Sequence, residues 1–197
     1  MSAADPSLTT VRRWIVASGL CALTALGAPA SGGSLTPAQL ATLDLGAYPH
    51  RIAPPEFSLR TPDNQTVTLA GLRGRVVLLN FWASWCLECR PEMSAFEALH
   101  RKFAPRGLAI VGINTREDKT AVRKYATGLG LTFPLVLDLH GTTAVQYGVV
   151  GLPTTFLVGR DGRAVALAVG PREWASAAAE AIIQSLLSDS PGPTDPR

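Results

Sequence analysis

The chain has 197 residues, 47% of them hydrophobic and 17% charged, which suits one globular domain with appendages and excludes a second full domain or an intrinsically disordered chain. Its 18 basic and 15 acidic side chains leave a net charge of +3, spread thinly with no basic run beyond Arg12-Arg13, so nucleic acid is a poor candidate partner. Three cysteines can neither staple a miniprotein nor complete a four-cysteine zinc site.

Arg12 and Arg13 precede an apolar run over 14–27, which meets Ala28-Pro29-Ala30 and a Ser/Gly-rich stretch. This is the charged, apolar and small-residue order of a secretory signal, and the run is shorter than the roughly 20 residues a spanning helix needs. Residues 1–30 are therefore read as a signal peptide cleaved after Ala30, with an uncleaved signal anchor as the alternative. Either one delivers the domain to a periplasmic or otherwise extracytoplasmic location. Cys21 lies inside the run after Leu20, a poor lipoprotein site, and is read as inert. Residues 31–54 mix Gly, Ser, Pro and Ala around a short apolar stretch at Leu40 to Leu45 and read as a linker.

The domain is expected over 55–187. Phe57 to Leu59 and Val67 to Leu69 flank the turn Thr61-Pro62-Asp63-Asn64 and predict a β-hairpin at the N-terminal side. Val76 to Trp82 is apolar almost throughout, the pattern of a central strand covered on both faces. Met93, Phe96, Leu99 and Phe103 recur at helical spacing from Cys89 to about Arg106. A strand at Ala109 to Asn114, a helix from about Asp118 to Gly128, a short strand at Leu135 to Asp138 and one or two helical turns at Thr143 to Tyr147 follow. Thr154 to Val158 and Ala164 to Val169 form a second hairpin about Gly159 to Gly162, and a helix runs from Glu173 to Leu187. The proline-bearing tail, 188–197, is expected to be disordered. The alternation predicts an α/β sandwich with a mixed, mostly parallel sheet and helices on both faces.

The segment Trp82-Ala83-Ser84-Trp85-Cys86-Leu87-Glu88-Cys89 carries the central strand straight into a helix expected to begin at Cys86. The thiolate is the reactive form of cysteine, and unpaired N–H groups at a helix N-terminus stabilise negative charge. Cys86 is thus the expected attacking sulfur. Three residues onward, Cys89 comes within bonding reach, so the pair can open and close without refolding. A permanent structural disulfide is the alternative, yet closing so small a loop stabilises a fold by only about 2 kcal/mol. A zinc site would need two more ligands, and His50, His100 and His140 are scattered singly. A heme attachment site needs His after the second cysteine, where Arg90 stands. No metal and no cofactor beyond the dithiol is expected. Pro91, inside the expected helix, would remove a backbone hydrogen bond and kink the turn.

Phe81 to Met93, Phe-Trp-Ala-Ser-Trp-Cys-Leu-Glu-Cys-Arg-Pro-Glu-Met, resembles the active site of exported thioredoxin-like thiol-disulfide oxidoreductases of the TlpA/ResA group. Val111-Gly112-Ile113-Asn114 and Gly151-Leu152-Pro153-Thr154-Thr155-Phe156 resemble further blocks of that group, and the likeness spans about residues 55–187. The resemblance implies a thioredoxin-like sandwich and a cis bond before Pro153. It also implies a substrate-binding role for Trp85, Leu152 and Pro153, with the backbone of Leu152 pairing an extended substrate segment. Asn80 stands where classical thioredoxin carries a buried Asp, so that proton relay is missing, and Glu92 is implied as the proton acceptor for Cys89. Glu88 departs from the commoner Pro before the second cysteine. A carboxylate there opposes thiolate formation at Cys86 and is expected to make the disulfide more reducing.

The family further implies protein disulfide substrates, such as apocytochrome c or copper-site proteins, and a membrane thiol-reductase as electron donor. A copper-binding chaperone on the same fold, with His140 as third ligand, is the rival from another class, although such chaperones typically space their cysteines by three residues rather than two. A peroxiredoxin-like peroxidase would need Thr-x-x-Cys in place of Trp-Cys-x-x-Cys.

Overall fold

The computed structural model describes residues 35–189. The signal expected at 1–30 lies outside them, as do residues 190–197 of the expected tail. Among the described residues no helix is long and apolar enough to cross a membrane. The strands are β1 (Gly46–Ile52), β2 (Ser58–Arg60), β3 (Thr66–Thr68), β4 (Val76–Trp82), β5 (Leu108–Thr115), β6 (Leu135–Asp138), β7 (Thr154–Val158) and β8 (Ala164–Val169). The helices are α1 (Pro37–Ala41), α2 (Cys89–Phe103), α3 (Lys119–Leu129), α4 (Thr142–Gln146) and α5 (Ala177–Ser188). The strands form one sheet in the order β1-β8-β7-β4-β5-β6-β2-β3.

Every residue of β4 is buried. Successive side chains on a strand point to opposite faces, so Val76, Leu78 and Trp82 enter one core while Val77, Leu79 and Phe81 enter the other. The first core takes Met93, Phe96, Leu99 and Phe103 of α2, Val122 of α3 and Ile182, Ile183 and Leu186 of α5. The second is closed by α4 through Ala144, with Tyr147 and Phe57 beside it. Gly112 of β5 lies between Trp82 and Leu135: a Cβ there would stand 2.6 Å from Leu135 Cδ2 and 2.9 Å from Trp82 Nε1. A side chain at that point would have to displace the buried Trp82 and Leu135.

The α/β sandwich agrees with the sequence, but the sheet holds fewer parallel pairs than expected. Parallel pairing is confined to β4 with β5 and β5 with β6. The β2–β3 hairpin adds antiparallel strands beside β6, and on the other side β7, β8 and β1 are antiparallel in turn. Hairpins reverse direction at each turn, so growth at both edges dilutes the parallel centre.

The expected linker over 31–54 is the larger correction. From residue 35 it belongs to the folded unit: Thr36 and Gln39 form a reciprocal capping box at the start of α1, and β1 pairs with β8. Leu35, Leu40, Leu43 and Leu45 are buried in the same core as α5. Four leucines in eleven positions follow neither strand nor long-helix spacing, which hides a burial that only the partner surface explains. The last helix also starts at Ala177 rather than Glu173, because Ser176 caps it through the Ala179 amide and Trp174 is drawn into the core ahead of it. Leu40→Ala is expected to lower the unfolding free energy by about 2–4 kcal/mol, as core truncations do, measured by chemical denaturation. A linker leucine would change it by less than about 0.5 kcal/mol.

Candidate functional site

Beyond Trp82 the chain turns tightly. The Cys86 amide donates to the Ala83 carbonyl at 3.1 Å, Cys89 N to the Cys86 carbonyl at 3.2 Å and Arg90 N to the Leu87 carbonyl at 3.3 Å. These contacts span three residues, so the α-helix proper begins at Cys89, three positions later than the sequence suggested. Cys86 sits just ahead of it, and the Cys89 N–H donates to Cys86 Sγ at 3.2 Å. The hydrogen bond that would steady a thiolate at Cys86 thus comes from its own partner's backbone. Pro91 falls third in the helix, where a backbone N–H would have no acceptor within the helix anyway, so the expected lost bond does not arise.

Cys86 and Cys89 are joined, with Sγ–Sγ 2.02 Å and Cα–Cα 5.3 Å. Their access is unequal: Cys86 is 7% exposed and Cys89 is 0%. Trp85 (68%) and Leu87 (86%) flank Cys86 as exposed apolar side chains.

A residue the sequence reading passed over holds this turn. Glu117, just past β5, accepts hydrogen bonds from Ser84 N at 2.7 Å, Ser84 Oγ at 2.5 Å and the buried Asn114 Nδ2 at 2.7 Å. One carboxylate therefore ties the loop before Cys86 to the neighbouring strand. Its position beyond the C-terminal end of a central parallel strand, where α/β sheets gather functional groups, was the available signal.

Glu92 lies three residues after Cys89, on the same side of α2. Its Oε1 accepts from Arg172 N at 2.7 Å and from Trp174 Nε1 at 2.8 Å, while the buried Oε2 has no partner among the described residues. Burial pushes its pKa up to about 7, outweighing the lowering effect of both hydrogen bonds and of Arg172, and the charge of Glu88 adds to the rise. Arg172 in turn pairs with Asp44, Nη2 to Oδ2 at 2.9 Å. Nothing in the local sequence announces Arg172 or Trp174, which reach Glu92 across 80 and 82 positions. Glu88 itself is exposed at the helix start. Asn80 is buried, and its Nδ2 donates to Thr155 Oγ1 at 3.0 Å.

The Leu152–Pro153 peptide bond is cis. β7 begins at the next residue, with Thr154 opposite Phe81 of β4, so Pro153 stands beside the strand end from which the cysteine turn departs. Trp85 and Leu152 line one groove of about 420 Å³ together with Arg116 and Val145. The structure thus gathers Cys86, Cys89 and Glu92 within residues 86–92, and brings Trp85 and Leu152 together from distant segments. His140 is exposed after β6, and among the described residues no three His, Cys, Asp or Glu side chains cluster as metal ligands would.

Residues 51–166 match the AhpC/TSA family. The chain is 37% identical over 116 residues to the thiol-disulfide oxidoreductase ResA of Geobacillus thermodenitrificans, covering 59% of this chain and 67% of that protein. It is 35% identical over 116 residues to ResA of Bacillus subtilis, covering 59% of this chain and 65% of that protein. These alignments span about two thirds of the curated relatives' length. Among solved structures, a putative thiol:disulfide interchange protein DsbE from Chlorobium tepidum superposes with a TM-score of 0.66 at 31% identity, over 70% of this chain and 97% of that one.

The raised pKa of Glu92 has a signed consequence. The folded state holds this proton more tightly than the unfolded state, so its contribution to stability is complete below pH 4.5 and is lost as pH rises through about 7. Glu92→Gln keeps an acceptor for Arg172 N and Trp174 Nε1 and cannot ionise. In urea unfolding of the oxidised proteins, variant and wild type are expected to match near pH 4.5, with the variant ahead by about 2–3 kcal/mol at pH 8. Equal stabilities at both pH values would contradict the buried, proton-binding carboxyl.

Proposed function

The chain belongs to the AhpC/TSA family and carries the dithiol of a thiol-disulfide oxidoreductase, and we propose that it works outside the cytoplasm as a reductant of disulfides in partner proteins. Apocytochrome c and proteins with copper-site cysteines are the substrate classes this reading favours, with a membrane thiol-reductase returning electrons to the dithiol and no cofactor beyond it. The observation that carries the proposal is the unequal exposure of the two cysteines, 7% for Cys86 and 0% for Cys89. In this reading Cys86, the less covered of the two, is the one that meets another protein's disulfide. The names of the ResA and DsbE relatives support the reaction class, and the signal-like order at 1–30 supports the compartment.

In the proposed cycle the Cys86 thiolate attacks one sulfur of the substrate disulfide, forming a mixed disulfide and expelling the other substrate sulfur as a thiolate, which takes up a proton. Cys89 then loses its proton to Glu92 and attacks Cys86 Sγ. The Cys86–Cys89 bond forms, the mixed disulfide breaks, and the second substrate sulfur leaves. Two electrons pass from the dithiol to the substrate. A carboxyl that titrates near neutrality is suited to take this proton and pass it on. Trp85, Leu152 and Pro153 bind the substrate chain beside Cys86 in this reading.

Cys89→Ala is expected to accumulate mixed disulfides at Cys86 that dithiothreitol releases, seen as high-mass species on non-reducing gels. Adducts that persist when Cys86 is also replaced would refute the assignment of the attacking sulfur. Glu88→Gln removes a negative charge near the thiolate and is expected to raise the reduction potential by roughly 10–20 mV. A glutathione redox titration measures it, and a level or lower potential would contradict the tuning role.

A further inference from the structure

The groove beside Trp85 is walled mainly by apolar side chains, Ala144, Val145, Val149, Val150 and Leu152, and it carries one cation, Arg116. Val145 and Val150 are exposed, the latter at 89%. Arg116 follows β5 directly, with a backbone φ of +63°, a left-handed conformation disfavoured for a residue with a Cβ. Such a conformation persists only where the surroundings hold it, and it is commonest at functional sites. Here the Arg116 amide donates to the Asp138 carbonyl at 3.0 Å. The side chain then lies across Gly141, where a Cβ would come within 2.5 Å of Nε and 3.2 Å of Cζ. A residue without a side chain at 141 leaves the guanidinium its place.

The exposed Arg116 side chain meets no carboxylate among the described residues: Arg73, Arg101, Arg123 and Arg172 each form an ion pair, and Arg60, Arg75, Arg90, Arg106 and Arg160 reach a carbonyl, an amide or an aromatic ring, whereas the Arg116 guanidinium makes no such contact. The acidic side chains of the adjoining elements are engaged elsewhere. Glu117 holds Ser84 and Asn114, Asp118 caps α3 through the amides of Thr120 and Ala121, and Asp138 accepts from the amides of Thr143 and Ala144. An uncompensated guanidinium over an apolar trough favours a partner that brings both apolar surface and a carboxylate.

We propose that this groove takes an extended segment of the oxidised substrate protein with an acidic residue close to its disulfide, and that Arg116 pairs with that carboxylate while Cys86 attacks. Arg116 is a specificity residue in this assignment and takes no part in the electron transfer, which runs as described above. The inference rests on the oxidoreductase reading and names the kind of substrate it prefers.

The test mixes the reduced full-length protein with three disulfide-linked peptides identical except for Asp, Asn or Lys two positions from one cysteine, and follows oxidation of the protein by tryptophan fluorescence. The wild type is expected to react roughly two- to fivefold faster with the Asp peptide than with the Asn peptide at low salt. That ratio should collapse towards one at about 0.5 M salt, where charges across the groove are screened. It should be lost in Arg116→Gln, kept in Arg116→Lys and turned in favour of the Lys peptide in Arg116→Glu. A wild-type ratio of one at low salt overturns the proposal without using any variant, as does an Asp preference that survives in folded Arg116→Gln. Equal turnover of all three peptides leaves the oxidoreductase reading standing, whereas failure to react with any peptide or with a small uncharged disulfide removes both.

Discussion

The site depends on how little chain separates a fully buried strand from a helix. β4 is packed on both faces, so its end is fixed in space, and only the turn over 83–88 lies between it and α2. A single carboxylate, Glu117, holds the start of that turn through two hydrogen bonds from Ser84 and is itself held to β5 by a third from Asn114. With strand, turn and helix each anchored, the two sulfurs occupy set positions relative to solvent. Their different exposure follows from that placement, since a residue at the helix start facing the sheet is covered and one a turn earlier is at the rim.

The same burial that covers Cys89 acts on Glu92. A carboxyl in apolar packing is costly to ionise, and the two donors that reach Oε1 reduce that cost without removing it. Both donors come from the stretch between β8 and α5, and Arg172 continues the connection to Asp44 in the link between α1 and β1. The proton-binding group of the first helical turn is thereby built into the packing of the last helix and of the lead-in segment.

The groove has another origin. Trp85 comes from the turn after β4, Arg116 from the end of β5, and Val145 to Leu152 from the connection between β6 and β7. They converge because β4 has a parallel neighbour in β5 and an antiparallel one in β7: the end of β5 and the start of β7 flank the same end of β4. Strand direction, rather than sequence proximity, brings the parts of this surface together.

The sequence by itself determined the elements whose signals are local. A run of seven apolar or nearly apolar residues marks β4, helical spacing marks α2, and Cys86 and Cys89 stand close enough in the chain that any turn between them keeps the sulfurs near each other. Glu92 was singled out by the family resemblance, and its place one turn from Cys89 puts it on the same side of the helix. Tertiary structure alone decided what depends on contacts across the fold. It turned residues from 35 onward from an expected linker into α1 and β1, because their leucines find a surface on α5. It set the helix start at Cys89, because the turn closes across three residues, and so left Pro91 harmless. It supplied Glu117, Arg172 and Trp174 as partners from remote positions. The physical reason is common to these cases: spacing along the chain encodes the faces of a helix or strand, but burial and unpaired charge belong to a side chain only once its neighbours in space are known.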